Sequence, residues 1–203
     1  MKVLCTGVIL AGGLAKRFSG EVKALLPLGG KKILDRIYQV FSELFEEIIL
    51  VTNDPVNFLE WNLMIGTDLY PVRSSLTGLQ AGLFYASNPH VFFSASDTPF
   101  LNKKLVETLL EKIDDHHDVI IPETSKGIEP LCAVYSKRCS QRIEHHLSKS
   151  DFKIQHFFKK ARVKKIPENR LKIADPDLLS FFNINTAEDL QVAQKILKSF
   201  ETK

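Results

Sequence analysis

The sequence predicts an α/β fold: a single domain with a mostly parallel central sheet and helices on both faces. Three observations carry this. Short, β-branched apolar runs alternate with stretches of helical periodicity, the pattern of strand, crossover helix and strand. The chain's 203 residues suit one ordinary domain spanning 1–203. With 44% hydrophobic and 25% charged residues, there is enough apolar material to cover both faces of a sheet.

Taken in order, Val3–Leu10 reads as a buried strand, and Ala11–Leu28, punctuated by Gly12, Gly13, Gly20 and Pro27, as a long loop. Ile33, Leu34, Ile37, Tyr38, Phe41, Leu44 and Phe45 recur at helical spacing, so a helix packs back on the sheet before a second strand at Ile48–Thr52. A short helix over Pro55–Trp61, a brief strand at Leu63–Ile65 and a helix at Leu79–Tyr85 follow, the last after a loop containing Ser74, Ser75, Thr77 and Gly78. The apolar run Val91–Phe93 is the next strand, ending in Ser94-Ala95-Ser96-Asp97-Thr98-Pro99. Asn102 then caps a helix carrying Val106, Leu109, Leu110 and Ile113. Val119–Ile121 and Leu131–Tyr135 read as strands, Phe181–Ile184 as strand-like. Asn185 or Thr186, with Glu188 or Asp189 at the capping-box position, opens a final helix.

Composition excludes several classes. Lys+Arg 27 against Asp+Glu 24 leaves a net charge of +3, too mild to predict a nucleic-acid surface. Cys5, Cys132 and Cys139 lack the spacing of a zinc site and are too few for a disulfide framework, so they read as reduced cytoplasmic thiols. Met1–Leu14 has the outline of a leader, but its β-branched run ends in a double glycine and continues into Lys16 and Arg17, as a strand feeding a phosphate loop would. No apolar stretch reaches the roughly 18 residues needed to span a bilayer, so no membrane partner is expected.

Chemistry is concentrated at two strand ends. Leu10-Ala11-Gly12-Gly13 places glycines at the carboxyl end of the first strand, where backbone N–H groups can approach an anion, and Arg17 and Lys23 add fixed charge. The spacing is neither the Walker pattern nor the dinucleotide fingerprint, and on these residues alone a plain Gly-Gly turn fits as well. Asp97 stands at the mouth of a buried strand, where a carboxylate can hold Mg²⁺ against phosphate oxygens. In isolation, Asp97-Thr98-Pro99 also reads as a capped turn.

Jointly these residues resemble the nucleotidyltransferases of the glycosyltransferase-A-like, Rossmann-related superfamily. The Leu10-Ala11-Gly12-Gly13 start, Arg17, Lys23, Ser96-Asp97-Thr98-Pro99 and the closing Phe182-Asn183-Ile184-Asn185-Thr186-Ala187-Glu188-Asp189-Leu190 are most similar to the MobA family of molybdenum cofactor guanylyltransferases. The likeness runs from the first strand to the last helix. It implies a Rossmann-like nucleotidyltransferase fold, an N-terminal part that binds nucleotide and a C-terminal part that binds the second substrate. The implied reaction is Mg²⁺-dependent transfer of GMP from GTP to the phosphate of molybdopterin, releasing pyrophosphate. Transient protein partners would deliver or receive the cofactor.

Carried over by position, Leu10, Ala11, Gly12 and Gly13 would contact the nucleotide, Arg17 and Lys23 would neutralise phosphates, and Asp97 would bind Mg²⁺. Asn53 and Asp68 match nucleotide-contacting positions, and Gly78 lies in the segment that closes over the base. Glu129 and Pro130 match a segment near the second substrate and read equally well as an ordinary turn, while Asn183 and Asn185 fall where sugar-nucleotide relatives often place a second metal-binding Asp, so they would face the second substrate or a hydrated metal. Guanine's adjacent N1–H and N2–H₂ donors suit a carboxylate such as Asp68. A phosphate nucleophile is already ionised near neutral pH, so the absence of a Ser-His-Asp relay agrees with the chemistry.

The chain also departs from the family. Phe18, Ser19 and Val22 replace the usual loop residues, and Ser74-Ser75-Leu76-Thr77-Gly78 stands where Gly-Pro-Leu-x-Gly is usual, beside the base pocket. Relatives that use CTP tend to have a second alanine at Gly12, which favours guanine here. A CTP-dependent transferase acting on a molybdopterin, sugar phosphate or alcohol phosphate, and a non-catalytic nucleotide-binding module, are the competing functions. Elsewhere, the pairs His116–His117 and His145–His146 read as surface residues, and His156 beside Phe157 and Phe158 as packing. Lys159, Lys160, Arg162, Lys164 and Lys165 read as an edge strand's solvated face, or else as a patch for an anionic substrate or protein partner.

Overall fold

A computed structural model of the chain describes residues 4–12 and 22–201. Its elements are β1 (Cys5–Leu10), β2 (Pro27–Leu28), β3 (Lys31–Lys32), α1 (Ile33–Leu44), β4 (Ile48–Val51), β5 (Met64–Gly66), α2 (Ser75–Tyr85), β6 (His90–Ala95) and α3 (Lys103–Leu110). There follow β7 (Val119–Thr124), β8 (Gly127–Ile128), β9 (Cys132–Ser136), α4 (Ser140–Ser148), α5 (Ile154–Phe158), β10 (Val163–Pro167), α6 (Glu168–Ala174) and α7 (Ala187–Glu201).

Among the described residues the main sheet runs β10-β7-β9-β6-β1-β4-β5, with β8 paired to β7. Every pairing among β6, β1, β4 and β5 is parallel, as is β7 with β10, while β9 runs antiparallel to both its neighbours. The sheet is therefore mostly parallel, as the alternation of runs implies.

Period-two alternation divides the central strands between two cores. Ile9, Leu50, Phe92, Ile120 and Val134 face α1 and α3 on one side. Val8, Ile49, Phe93, Ile121 and Tyr135 face α2 and α4 on the other. Close packing explains Gly7 and Gly82: a Cβ on Gly7 would lie 2.6 Å from Phe41, and one on Gly82 2.4 Å from Phe93.

Four local expectations are corrected. Gly29 (φ 57°) and Gly30 (φ 76°) close a β2–β3 hairpin at the end of the expected long loop, the turn conformation that a tight two-residue hairpin prefers. The helix expected from Leu79 starts at Ser75, because Ser74 caps it: Ser74 Oγ accepts from Thr77 N–H at 3.1 Å, and Ser74 N–H donates to Thr77 Oγ1 at 2.9 Å. Phe181–Ile184 is not a strand. Leu178 is left-handed (φ 52°) and Leu179–Phe181 forms a 3₁₀ turn, held by the Asp175 carboxylate accepting from the Leu179 and Ser180 N–H groups. Finally, the packing expected of His156 belongs to Phe157, which is fully buried, while His156 turns outward to Asp151.

The caps at Asn102 and Thr186 form as expected. Asn102 Oδ1 accepts from Lys104 N–H at 2.8 Å, and Asp189 Oδ2 accepts from Thr186 N–H at 2.8 Å. Among the described residues no helix is long and apolar enough to cross a membrane.

Candidate functional site

The carboxyl ends of β1, β4 and β6 open onto one cleft of about 770 Å³, at the edge where parallel α/β sheets bind ligands. One wall is built from Asp97 and Lys23. Asp97 follows the tip of β6 in a turn tied down by Thr98 Oγ1 donating to Ala95 C=O at 2.8 Å, and its own C=O accepts from Ile184 N–H at 2.9 Å. Lys23 opens a 3₁₀ turn anchored by buried Ala24. Its Nζ donates to Asn185 Oδ1 at 2.8 Å and lies 3.8 Å from Asp97 Oδ2.

The other oxygen, Asp97 Oδ1, is buried and has no hydrogen-bond partner among the described residues. Burial pushes the Asp97 carboxyl up from its ordinary value, and the Lys23 ammonium is the main opposing influence. A buried, unsatisfied carboxylate oxygen is costly unless something supplies charge to it. No group of three or more His, Cys, Asp or Glu that could hold a metal occurs among the described residues. Magnesium does not require one, since it is commonly held by one or two carboxylates plus substrate phosphates and water. Asp97 thus fits a divalent cation that arrives with a polyphosphate.

The opposite wall carries Asn53 and Asp68, each just past a strand. Asn53 Nδ2 donates to Asp68 Oδ2 at 2.7 Å, and Asp68 N–H donates to Asn53 Oδ1 at 3.1 Å. This reciprocal pair fixes the carboxylate's orientation and leaves Asp68 Oδ1 without a protein partner among the described residues. Gly78 also lines this cleft, but in the first turn of α2, where a Cβ would sit 3.4 Å from Leu10.

At the β1 end the backbone is largely committed to the sheet. Ala11 N–H donates to Val51 C=O at 2.8 Å, and Leu10 C=O accepts from Ser96 N–H at 3.0 Å. Gly12 differs: it is exposed, it lines the cleft, and a Cβ there would meet nothing within 4 Å. Packing among the described residues gives no reason for that glycine. Gly13 and Arg17 lie outside the described residues.

The four residues expected near a second substrate separate. Asn185 joins the site through Lys23. Asn183 is exposed and donates to Phe181 C=O at 3.3 Å, away from the cleft lining. Glu129 and Pro130 are half-buried beside Leu131, which does line the cleft, and burial raises the Glu129 carboxyl. Pro130 C=O accepts from buried Tyr135 OH at 2.8 Å, which fixes this turn against β9. Asp54 and Arg73 also line the cleft and were not singled out from sequence. Their signal was position alone, one just past β4 and the other just before the α2 cap.

A family model described as the MobA-like NTP transferase domain matches residues 7–165, a span that contains both walls of this cleft except Asn185. The chain belongs to the MobA-like NTP transferase family. It is 44% identical over 194 residues to a molybdenum cofactor guanylyltransferase of Desulfosudis oleivorans, covering 96% of each chain. It is 36% identical to a probable molybdenum cofactor guanylyltransferase of Natranaerobius thermophilus, covering 97% of this chain and 98% of that one. Among solved structures, molybdopterin-guanine dinucleotide biosynthesis protein A of Archaeoglobus fulgidus superposes with a TM-score of 0.84 at 27% identity, covering 96% of this chain and 99% of that one. Members of this MobA-like family are nucleotidyltransferases, and the α/β architecture seen here is theirs.

Proposed function

We propose that this family member transfers GMP from GTP to the phosphate of molybdopterin, forming the guanine dinucleotide cofactor and pyrophosphate. The observation that carries this is Asp97, with one buried carboxylate oxygen that has no partner among the described residues and the other beside Lys23, at the mouth of parallel strands. A phosphate oxygen of molybdopterin attacks the α-phosphorus of GTP. The new P–O bond forms as the bond to the bridging β-phosphate oxygen breaks, and pyrophosphate leaves with that electron pair. The nucleophile is already ionised, so the protein's work is alignment and charge neutralisation.

In this reading Lys23, held by Asn185, neutralises the triphosphate, and Arg17 adds a second positive charge. Asp97 holds Mg²⁺, which when bound supplies Lewis-acid neutralisation of phosphate oxygens. Asp68, oriented by Asn53, accepts from the guanine edge, with Gly12, Gly13 and Gly78 giving the nucleotide close approach to backbone. The chain works as one domain in the cytoplasm, with Glu129, Pro130 and Asn185 on the side that meets molybdopterin, and transient partner proteins supplying or collecting it.

The test is incubation with each of the four triphosphates, Mg²⁺ and molybdopterin, with mass analysis of the product. A guanine dinucleotide formed only with GTP and Mg²⁺ is the expected result. Preferential consumption of CTP would overturn the base assignment, and no pyrophosphate from any triphosphate would leave a binding module.

A further inference from the structure

The basic strip between Lys159 and Lys165 divides into two halves. On β10 and just before it the strip is neutralised: Arg162 Nη2 lies 2.7 Å from buried Asp118, Lys164 is 3.0 Å from Asp114, and Lys165 is 2.6 Å from Glu123. Lys159 and Lys160 form no ion pair among the described residues. Both line a second cavity of about 330 Å³, formed by α4, α5 and the turn joining them.

Arg142, His145, His146, Lys149, Asp151 and His156 complete the lining. Asp151, the cavity's single carboxylate, meets Nδ1 of His146 at 2.9 Å and Nδ1 of His156 at 2.9 Å. An ionised carboxylate only accepts, so each Nδ1 carries a proton, and the shared carboxylate fixes the orientation of both rings at the cavity. Lys149, at the end of α4, forms no ion pair among the described residues. Arg142 Nη1 is buried without a hydrogen-bond partner among the described residues, 3.6 Å from Asp118 Oδ2. Three ammonium groups and a guanidinium therefore surround one carboxylate that two imidazoles already share. This balance repels a metal cation and attracts an anion.

We propose that this cavity is a second anion site, separate from the cleft, for a compact multiply charged phosphate-bearing molecule of the pyrophosphate class. Its size is at the lower end for small-molecule sites. Compactness follows from the charge map. An acidic protein segment would need the positive field to continue along β10, where Asp114, Asp118 and Glu123 cancel it. A small polyphosphate gathers donors from α4, α5 and their turn within one cavity.

The probe is inorganic pyrophosphate at physiological ionic strength, followed by the NMR ring-proton signals of His146 and His156, assigned with His146→Gln and His156→Gln. Both signals are expected to shift saturably. The affinity should fall at least about tenfold in Lys159→Ala/Lys160→Ala, fall in Lys149→Ala as an independent check, and hold in the cleft variant Lys23→Ala. Absence of a saturable shift would overturn the proposal, as would equal affinity in the lysine variants or loss of the shift in Lys23→Ala. A glutamate-rich peptide moving these signals at lower concentration than pyrophosphate would also overturn it, in favour of a protein ligand.

Discussion

Asp97→Asn keeps the size of the side chain past the tip of β6 and removes its charge, so activity and stability are expected to respond differently. At 3.8 Å, the attraction between Asp97 and Lys23 is roughly 4 kcal/mol at an effective dielectric of about 20. Burial nevertheless raises the Asp97 carboxyl, so desolvating the charge costs more than Lys23 returns. An acid raised in the folded state ionises first in the unfolded chain. The wild type therefore loses stability as pH climbs from the ordinary Asp value of about 4 up to the folded value, and the deficit persists above it. Asn carries no such penalty. The variant should unfold at the same temperature as the wild type or higher at pH 7, with any gain vanishing below about pH 4. Turnover should fall by about 10² to 10³-fold, the range for deleting one preorganised electrostatic group. Pyrophosphate release at saturating GTP and molybdopterin, alongside thermal unfolding at both pH values, measures the two effects. Near wild-type turnover would make Asp97 a turn residue only, and a loss of melting temperature parallel to the loss of activity would refute the burial argument.

Lys23→Ala should lower kcat by at least ~10²-fold, and a change confined to KM for GTP would place Lys23 in ground-state binding instead. Asp68→Ala should impair GTP far more than ITP, which lacks the N2 amine; an unchanged GTP/ITP ratio of rate constants would show that Asp68 does not read the base. Asp118→Ala should destabilise by about 2–3 kcal/mol without changing turnover per folded molecule, since buried Asp118 accepts from Arg162 and Arg138 far from the cleft lining. The Arg162 hydrogen bond, foremost, holds the Asp118 carboxyl well below its ordinary range, so its contribution is present above about pH 4 and is lost as pH falls towards the folded value. Wild-type and variant stabilities should converge in acid, and a gap that stays constant would refute the assignment.

The elements legible in the sequence are those whose pattern is local. β1, β4 and β6 are covered on both faces and read as continuous apolar runs, and α1 shows its buried stripe at helical spacing. The misread elements carry ambiguous local chemistry. Ser74 and Thr77 are turn-formers by composition, but they cap α2, and only their reciprocal bond shows it. Phe181–Ile184 has a strand's apolar content but pairs with no strand among the described residues, and its Ile184 N–H goes to Asp97 instead. That bond brings Asn185 to Lys23, a pairing across 162 positions that no periodicity encodes.

Asp97 itself was poised between a capped turn and a ligand-holding carboxylate, and its surroundings separate the two. A turn aspartate spends its oxygens on nearby N–H groups. Asp114 Oδ1 accepts from the N–H of His116 at 2.9 Å and of His117 at 2.8 Å, and Asp189 Oδ2 accepts from those of Asn185 and Thr186 at 2.8 Å each. In both, these bonds contribute to holding the carboxyl below its ordinary value. The Asp97 turn is held instead by the Thr98 hydroxyl and by the Asp97 C=O, leaving Oδ1 buried and without a hydrogen-bond partner among the described residues and the carboxyl raised. A carboxylate that neither caps its turn nor is satisfied by its neighbours is a net cost to the fold. Its geometry makes sense once a cation and a polyphosphate complete the cleft.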